Sequence, residues 1–313
     1  MLNVSEVLGT EYPVIQGAMA RIANSSLASA VSMGGGLGII ASGGETAEWL
    51  RQQIKEVREK TDKPFGVNLM LLAPNVEELL DVVCEEKVPV VTTGAGNPGK
   101  YIPRLKEAGI KVVPVVSNVT LARRVERAGA DAVVAEGREA GGHIGETTTM
   151  ALVPQMADAL KIPVIAAGGI ADGRGVAAAY MLGAKGVQIG TRFLVATECT
   201  VADSYKKAIL KAKDSSTVET GHITGHPVRV IKNKLSNRIL KLEKQNASID
   251  EINELCTGTL GAAVFDGDVD YGSVMSGQIA GLVNKEQPAA EIIKEIFAET
   301  AKIYGDRKDI CNA

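Results

Sequence analysis

The stretch "PVIAAGGIADGRGVAAAYMLGAKGVQIGTRF", residues 163–193, carries the clearest sign of the architecture. Two short apolar runs begin at Pro163 and Gly186, and a segment long enough for a helix separates them. Their hydrophobicity is continuous rather than alternating, which is typical of parallel strands buried on both faces. The stretch therefore predicts a strand, a helix and a second, parallel strand.

Six earlier runs of the same kind extend this pattern toward the amino terminus. They begin at Pro13, Leu37, Phe65, Val88, Lys111 and Asp131. Amphipathic segments such as "TAEWLRQQIKEVREKT" and "NVTLARRVERAGA" lie between them and end at turn signals. Eight such units predict an α/β fold, a (β/α)8 TIM barrel, whose active site is built by the loops at the carboxyl ends of the strands.

A doubly wound open sheet is the alternative fold. The stretch "GAGNPG", residues 94–99, matches the glycine spacing of a dinucleotide-binding turn and follows a strand. The next strand, however, ends in Ser117 and Asn118, where a dinucleotide fold requires an acidic residue for the ribose. We therefore interpret "GAGNPG" as the loop after barrel strand 4.

The strand–helix rhythm stops after about Thr197. Turn residues and a strongly charged helical segment follow, which indicates a smaller cap domain inserted after strand 8. We predict a barrel domain formed by residues 1–198 and 273–313, with the cap at 199–272. The segment "AAEIIKEIFAETAKIYG" is predicted to form the helix that completes the outer ring.

Composition excludes several classes of function. A net charge of -3 and 4% aromatic residues give no footprint for nucleic acid. With no basic amino-terminal region and no long apolar segment, we expect a soluble, cytoplasmic protein without a membrane segment. Unpaired spacing of the cysteines predicts neither a zinc site nor a disulfide framework; they are Cys84, Cys199, Cys256 and Cys311.

The loop after strand 6 is the first indication of a functional site. Residues 137–148 form a loop of about a dozen residues, whereas such loops usually take ~2 to 6. His143 lies in it among glycines that favour neither helix nor strand, and it is a candidate acid or base, with a surface histidine as the alternative. Pro154 belongs in the first turn of a helix, which suggests a late helix start.

Glycines at the ends of strands 7 and 8 suggest a phosphate site. Gly168 and Gly169 end strand 7, and Gly190 and Thr191 end strand 8. Backbone N–H groups at glycines and at a helix amino terminus can approach a phosphate closely. Tight turns without a ligand are the alternative explanation.

Polar residues interrupt several strands near the same mouth of the barrel. They are Gln16, Asn68, Glu136 and Gln188. An isolated polar group of this kind is often only a satisfied core group. Several at one end suit a planar heterocycle, whose edge needs donors and acceptors.

A metal site is not predicted. His222 and His226 have a spacing that suits a metal on a helix, but Pro227 and the neighbouring glycines argue against a helix there. No third ligand is evident in the sequence.

These motifs resemble, in order, those of the FMN-dependent nitronate monooxygenase and enoyl-acyl-carrier-protein reductase II superfamily. The matching stretches from residue 13 to about 283 are "QGAM", "GGGLGII", "KPFGVNLML", "TTGAGNP", "AEGREAGGHIG", "PVIAAGGIADGRG", "GVQIGTRF" and "GSVMSGQIAGLV". The density of matches resembles most closely the reductase II (FabK type) branch.

The resemblance implies FMN at the barrel mouth and a catalytic role for His143. It implies a cofactor site of Gly17, Ala18, Met19, Asn68, Glu136, Gly141, Gly142, Ala167, Gly168, Gly169, Gln188, Gly190, Thr191, Met275, Ser276 and Gln278. Arg21 departs from the expected pattern and could touch substrate or the cofactor phosphate.

The resemblance further implies reduction of a trans-2-enoyl thioester by NADH or NADPH, and it admits a monovalent cation. The acyl carrier protein would be an acidic partner, for which Lys234, Arg238 and Lys241 offer a basic stripe, although a plain solvated face explains them as well. We expect a homodimer. The rival functions are nitronate oxidation by O2 and a non-catalytic phosphate-binding barrel, whereas an IMP-dehydrogenase-like barrel would need a cysteine in the strand 6 loop.

Overall fold

The structure, a computed structural model, describes residues 4–306 and contains a TIM barrel. Its eight barrel strands are β1 (Val14–Gln16), β2 (Gly38–Ala41), β3 (Phe65–Met70), β4 (Val90–Gly94), β5 (Lys111–Val116), β6 (Val133–Glu136), β8 (Val164–Ala167) and β9 (Gly186–Ile189). Each coincides with one of the eight apolar runs, so the predicted fold is confirmed. The "GAGNPG" stretch follows β4, as interpreted from the sequence.

All barrel strands are parallel and lie in the order β1, β9, β8, β6, β5, β4, β3, β2. A parallel bridge between Ile15 and Leu37 joins the two end strands. The sheet thereby closes on itself, and the carboxyl ends of all eight strands meet at one mouth.

Side chains alternate between the barrel interior and the layer beneath the helices. Val134 and Ile165 belong to the interior cluster, while their neighbours Val133 and Val164 pack outward against helices. Val4, at the start of the chain described, joins the interior cluster from the opposite end of the barrel. Burial on both faces explains why the strand sequences are continuously apolar.

The helices surround the barrel and build part of the cap. They are α1 (Val4–Leu8), α2 (Ser25–Met33), α3 (Ala47–Lys60), α4 (Val76–Glu85), α5 (Ile102–Glu107), α6 (Val119–Ala128), α7 (Thr149–Ala159), α8 (Gly173–Met181), α9 (Asp203–Leu210), α10 (Lys234–Lys244), α11 (Ile249–Cys256), α12 (Thr259–Gly261) and α13 (Ala289–Asp306). As predicted, α13 packs against α8 and α2 and completes the outer ring. The helix α7 begins at Thr149, so Pro154 lies inside it and does not delay its start.

A second sheet covers part of the barrel mouth. Its strands β7 (Gly142–His143), β11 (Val228–Ile231) and β10 (Thr217–Thr220) are antiparallel. Gly142 and His143 were expected to favour neither helix nor strand, and this expectation is wrong. They pair with a strand that lies far away in the sequence, so no local signal announces the pairing.

The segment 199–272 contacts two separate cores. Tyr205 of α9 is fully buried in the main core. By contrast, Leu235 and Ile239 of α10 form a small cluster of their own with Ile252 of α11. The cluster of Leu235, Ile239 and Ile252 therefore marks the part of the cap that packs apart from the barrel. The domain boundary at residue 199 stays a prediction.

Two structural absences among residues 4–306 bear on function. No helix in this part of the chain is long and apolar enough to cross a membrane. No three or more His, Cys, Asp or Glu side chains in the same residues are grouped to hold a metal ion. His222 lies in a short 3-10 turn, His222–Thr224, between two left-handed glycines rather than on an α-helix. Cys311 lies outside the described residues.

Candidate active site

A cavity of about 1360 Å3, counted to its open mouth, lies at the carboxyl ends of the barrel strands. It extends from the ends of β1 and β3 across to the ends of β8 and β9 and is bounded above by β7. Most of the residues assigned to the site from the sequence line it: Gly17, Ala18, Met19, Asn68, Glu136, Gly141, Gly142, His143, Ala167, Gly168, Gly169, Gln188, Gly190, Thr191 and Met275.

Two residues of the predicted site do not line the cavity. Ser276 is buried, and its hydroxyl donates to the carbonyl of Gly277 at 3.5 Å. Gln278 is exposed and contributes only its backbone N–H, which donates to the Glu139 carbonyl. Gly277 and Ile279 line the cavity in their place. A 3-10 turn, Gln278–Leu282, begins directly after Gly277, so the direction of the Gln278 side chain does not follow from an extended chain.

The wall formed by the ends of β8 and β9 is built from backbone. Gly168 and Gly169 have φ values of +86° and +76°, which favour glycine. A Cβ at Gly168 would lie 2.8 Å from the Gly137 carbonyl oxygen. Among the described residues, no acceptor takes the N–H groups of Gly168, Gly169, Gly190 and Thr191. Unpaired amides at one wall suit an anionic ligand.

The helix amino terminus behind this wall is already occupied. Asp172 caps α8 by accepting from the N–H groups of Arg174 and Gly175. Glu299 accepts from the N–H of Gly173 at 2.8 Å. The first-turn amides of α8 are thus taken by its own N-cap, Asp172, and by Glu299 of α13, so this helix end offers none of these N–H groups to a phosphate.

The polar residues of the strands have different roles. Gln16 is fully buried, donates to the Gly17 carbonyl and accepts from the Ile39 N–H, so it is a satisfied core group. Asn68 lines the cavity and is held by its donation to Thr92 at 2.9 Å. Gln188 and Glu136 line the cavity, and neither side chain has a partner among the described residues. These two groups are open to a ligand.

Glu136 lies at the end of β6 in the cavity wall. Burial raises the pKa of its carboxyl group to about 7, because the charged form loses solvation there. At neutral pH the group therefore exists in both protonation states. A half-buried carboxyl of this kind can either donate or accept a hydrogen bond with a bound ring.

His143 projects from β7 at the junction of the barrel and the cap. Its backbone pairs with Val228, and the next residue, Ile144, donates its N–H to the Pro227 carbonyl. Although His143 is exposed, partial desolvation of the imidazole, and secondarily the charge of His226, lower the pKa of His143 below its ordinary value. The ring is therefore mainly neutral at pH 7, with one N–H donor.

An ion-pair cluster holds the loop of His143 against the cap. Arg138 donates to both carboxylate oxygens of Glu219, at 2.9 and 2.6 Å. Arg229, which is 4% exposed, donates to the same carboxylate and to the Arg138 carbonyl. Arg229 also lies opposite Gly142 in the small sheet. We call these three residues the clamp, because they join both sides of the β7–β11 pairing.

Glu139 is the most informative residue that the sequence reasoning missed. Its carboxylate accepts from the N–H and the hydroxyl of Thr149, and it lines the cavity. It thereby ties the start of α7 to the long loop. Its place three residues beyond the end of β6, within the same glycine-rich stretch, was the available signal. Arg21 points elsewhere than suggested: it pairs with Glu45 at 3.3 Å and does not line the cavity.

The residues that build this site lie in the part of the chain that matches a known protein family. The family model described as nitronate monooxygenase matches residues 3–80 and 75–299.

The chain belongs to the nitronate monooxygenase family.

Its relatives within this family carry different names. The chain is similar to the structure of FabK from Thermotoga maritima, with 50% identity, 99% of both chains covered and a TM-score of 0.96. It is 35% identical to a probable nitronate monooxygenase of Staphylococcus saprophyticus, over 96% of this chain and 98% of the relative. It is 34% identical, over 95% of each chain, to a Mycobacterium tuberculosis enzyme named (3aS,4S,5R,7aS)-5-hydroxy-7a-methyl-1-oxo-octahydro-1H-indene-4-carboxyl-CoA dehydrogenase. The chain is thus an oxidoreductase of a family of flavoproteins.

Proposed function

We propose that this protein is an enoyl-acyl-carrier-protein reductase that uses FMN and NADH or NADPH. The observation that carries the proposal is the similarity to FabK from Thermotoga maritima at 50% identity and near-complete coverage. The Mycobacterium tuberculosis relative is named for a CoA thioester, which supports a thioester as the substrate class. All of these relatives have enzyme names, which favours an enzyme over a barrel that only binds a phosphate ligand.

The cavity fits FMN by its donors and its shape. The unpaired amides at Gly168, Gly169 and Gly190 suit a phosphate, and the close backbone there leaves no room for a Cβ at Gly168. The open polar groups of Gln188 and Glu136 suit the edge of a heterocycle. When bound, FMN would supply the hydride chemistry between the reduced nicotinamide and the β-carbon of the enoyl group.

His143 would act on the thioester carbonyl. A neutral imidazole at the junction of barrel and cap carries one N–H, which can donate to the carbonyl oxygen of an acyl group in the cavity. Such a donor stabilises the negative charge that develops on this oxygen when hydride reaches the β-carbon. The clamp and β11 hold His143 in place, and the cap limits the access of water.

The partner would be an acyl carrier protein. Lys234, Arg238 and Lys241 lie exposed along α10, while Leu235 and Ile239 of the same helix are buried. Lys234 pairs with Asp270, and no ion pair involves Arg238 or Lys241 among the described residues. Uncompensated basic side chains on an exposed helix favour an acidic partner.

Nitronate oxidation is the second candidate. It is favoured by the family model and by the name of the Staphylococcus saprophyticus relative. Both reactions need the same cavity, so the substrate must be tested directly.

An anaerobic two-step experiment separates the candidates. In one arm, purified protein loaded with FMN is reduced with NADH or NADPH, and crotonyl thioester is then added. In the other arm, the oxidised protein is mixed with an alkyl nitronate, and O2 is then admitted. We expect NAD(P)H to bleach the flavin absorbance and crotonyl thioester to restore it with formation of butyryl thioester. Reduction of the oxidised flavin by the nitronate and its reoxidation by O2, without turnover of the enoyl thioester, would overturn the proposal.

A further inference from the structure

A second cavity, of about 800 Å3 counted to its open mouth, lies in the cap. Its inner wall is formed by Leu235 and Ile239 of α10 and by Ile252 of α11, which are 4%, 4% and 1% exposed. Val228 and Val230 of β11 form another side. These residues are the independent hydrophobic cluster of the cap and the strand beside it, so the cluster encloses a space as well as packing on itself.

The cap cavity adjoins the cavity at the barrel mouth. Both are lined by His143, Leu260 and Met275. A molecule that places a reactive carbon beside His143 can therefore continue past Met275 into the cap. Met275 is anchored at its backbone, where its carbonyl accepts from the Tyr205 hydroxyl at 2.7 Å.

The chemistry of the wall favours a hydrocarbon occupant. Polar side chains line the cavity at Thr220, Thr224 and His226, and also beside the apolar cluster at Asn233, Ser236 and Asn253. Those of Asn233 and Ser236 are already hydrogen-bonded within the cap, to backbone groups at the start of α10 and, for Asn233, to the carbonyls of Val269 and Gly272. An amide-containing arm placed against Leu235, Ile239 and Ile252 would leave its N–H and carbonyl groups without partners, which is unfavourable. An alkyl chain needs none and gains from leaving water.

We propose that the cap cavity binds the hydrocarbon chain of the substrate and that Ile239 and Ile252 set the longest chain accepted. The identity of this chain as the acyl group of an enoyl thioester rests on the proposed function; binding of an alkyl chain in the cap does not.

Equilibrium binding tests the site without catalysis. Saturated acyl thioesters of N-acetylcysteamine with four, six, eight and ten carbons are titrated calorimetrically into the FMN-loaded enzyme. We expect Kd to fall by about fourfold for each added CH2, until the cavity is filled. A Kd that does not depend on chain length in the wild type would overturn the proposal.

Two variants and a control locate the site. Ile239→Phe fills the cavity and should weaken the ten-carbon ligand by at least tenfold while leaving the four-carbon ligand within twofold. Leu240→Phe adds the same ring on the same helix outside the cavity and should change neither. Ile252→Ala enlarges the cavity, so Kd should continue to fall with added CH2 groups up to a longer chain than in the wild type. This variant tests the proposal even if Ile239→Phe does not fold.

The outcomes distinguish the two proposals. If crotonyl thioester is reduced but neither Ile239→Phe nor Ile252→Ala alters the chain-length series, the cap site is wrong and the reductase proposal stands. If both variants alter the series and no enoyl thioester is reduced, the alkyl site stands and the reductase proposal fails. Pantetheine thioesters of the same chains are titrated in parallel. If Ile239→Phe weakens binding only when the pantetheine arm is present, the arm occupies the cap and the proposal is overturned.

Discussion

The two walls of the barrel-mouth cavity present different groups, backbone amides on one side and charged or titratable side chains on the other. The wall at the ends of β8 and β9 presents backbone amides, with Gly168 and Gly169 in left-handed conformations. The wall at β7 presents side chains, and the clamp of Arg138, Glu219 and Arg229 holds it to the cap. The first wall can bind an anion without using any charged side chain, whereas the second is held by charges and carries a titratable ring.

On the proposed function, this difference assigns cofactor binding to the first wall and reaction to the second. Backbone amides do not titrate, so the glycine wall should bind its ligand over a wide range of pH. His143 and the clamp do titrate, so reactivity and cap closure should depend on pH. A substitution in one wall should then impair the role of that wall and leave the role of the other intact.

The largest effect is expected at the glycine wall. Gly168→Ala places a side chain at φ +86° and a Cβ 2.8 Å from the Gly137 carbonyl oxygen, which costs about 1–3 kcal/mol in strain alone. We expect the variant to be purified without flavin absorbance and without activity. Gly94→Ala is the control, because it lines the same cavity at an ordinary φ with no atom within 4 Å of the new Cβ. Wild-type FMN affinity in Gly168→Ala would contradict the assignment of this wall.

His143→Ala should break the other wall selectively. We expect it to retain FMN and its reduction by NAD(P)H, while transfer to the enoyl thioester slows by about 100-fold, in the usual range for a lost acid–base group. Stopped-flow measurement of the two half-reactions separates these effects. His222→Ala is the matched control, since His222 lines neither cavity. Equal loss in both half-reactions would contradict a role at the thioester carbonyl.

The pH profile adds a second measurement on His143. Because desolvation and then His226 lower its pKa, the limb of the pH profile at which His143 becomes protonated should lie below pH 6.5 in the enoyl half-reaction. His226→Ala removes one of these causes, so the pKa of His143 should rise and the limb should move to higher pH. A limb that does not move would assign it to another group.

The clamp should give a smaller effect than His143. Glu219→Gln leaves Arg229 buried with a weakened partner, and we expect a loss of about 2 kcal/mol in the free energy of unfolding and roughly tenfold in turnover. Hydrogen exchange should increase in β7 and β11 and stay unchanged in β8. Asp270→Asn is the control, because its pair with Lys234 is about 60% exposed on both sides and should contribute less than about 1 kcal/mol.

Acid should have the same effect as this substitution. The hydrogen bond from Arg138 is the first cause that lowers the pKa of Glu219, helped by the charge of Arg229. The stabilisation is therefore complete above the ordinary carboxyl pKa and is lost as the pH falls through the lowered value. Protection of β7 against hydrogen exchange that persists below that pH would contradict the clamp.

The barrel could be predicted because its signals are local. Each strand is a continuous apolar run, and the glycines at Gly168 and Gly190 follow strands directly, so their place at the mouth needs only the fold. The loop after β6 could be singled out from the sequence because it is unusually long. None of these inferences depends on a residue far away in the sequence.

The missed features all depend on distant partners. The pairing of His143 with Val228 joins two strands from different parts of the chain, and two residues are too few for a strand period. The amide of Gly173 is taken by Glu299, which belongs to the last helix. The clamp likewise joins Arg138 to Glu219. Such contacts form only when the folded barrel brings distant segments together, so they cannot be predicted from local sequence propensities.

The smallest effect is expected at Glu136, which lies between the two walls. Its pKa in the folded protein is about 7, above the ordinary value of 4.5, so the folded apoprotein holds a proton there that the unfolded chain releases. The stability of the apoprotein should therefore fall as the pH rises from about 4.5 to 7. Glu136→Gln removes this dependence and should be more stable than the wild type by about 1 kcal/mol at pH 8, less than full burial would give because the carboxyl group faces the cavity. Urea unfolding of both apoproteins at pH 4.5 and pH 8 measures the difference, with Glu146→Gln as an exposed control on the same loop. If Glu136→Gln were instead less stable than the wild type at pH 8, the ionised carboxyl group would have a partner in the protein. Glu136 would then be part of the charged wall and would not be available to a ligand.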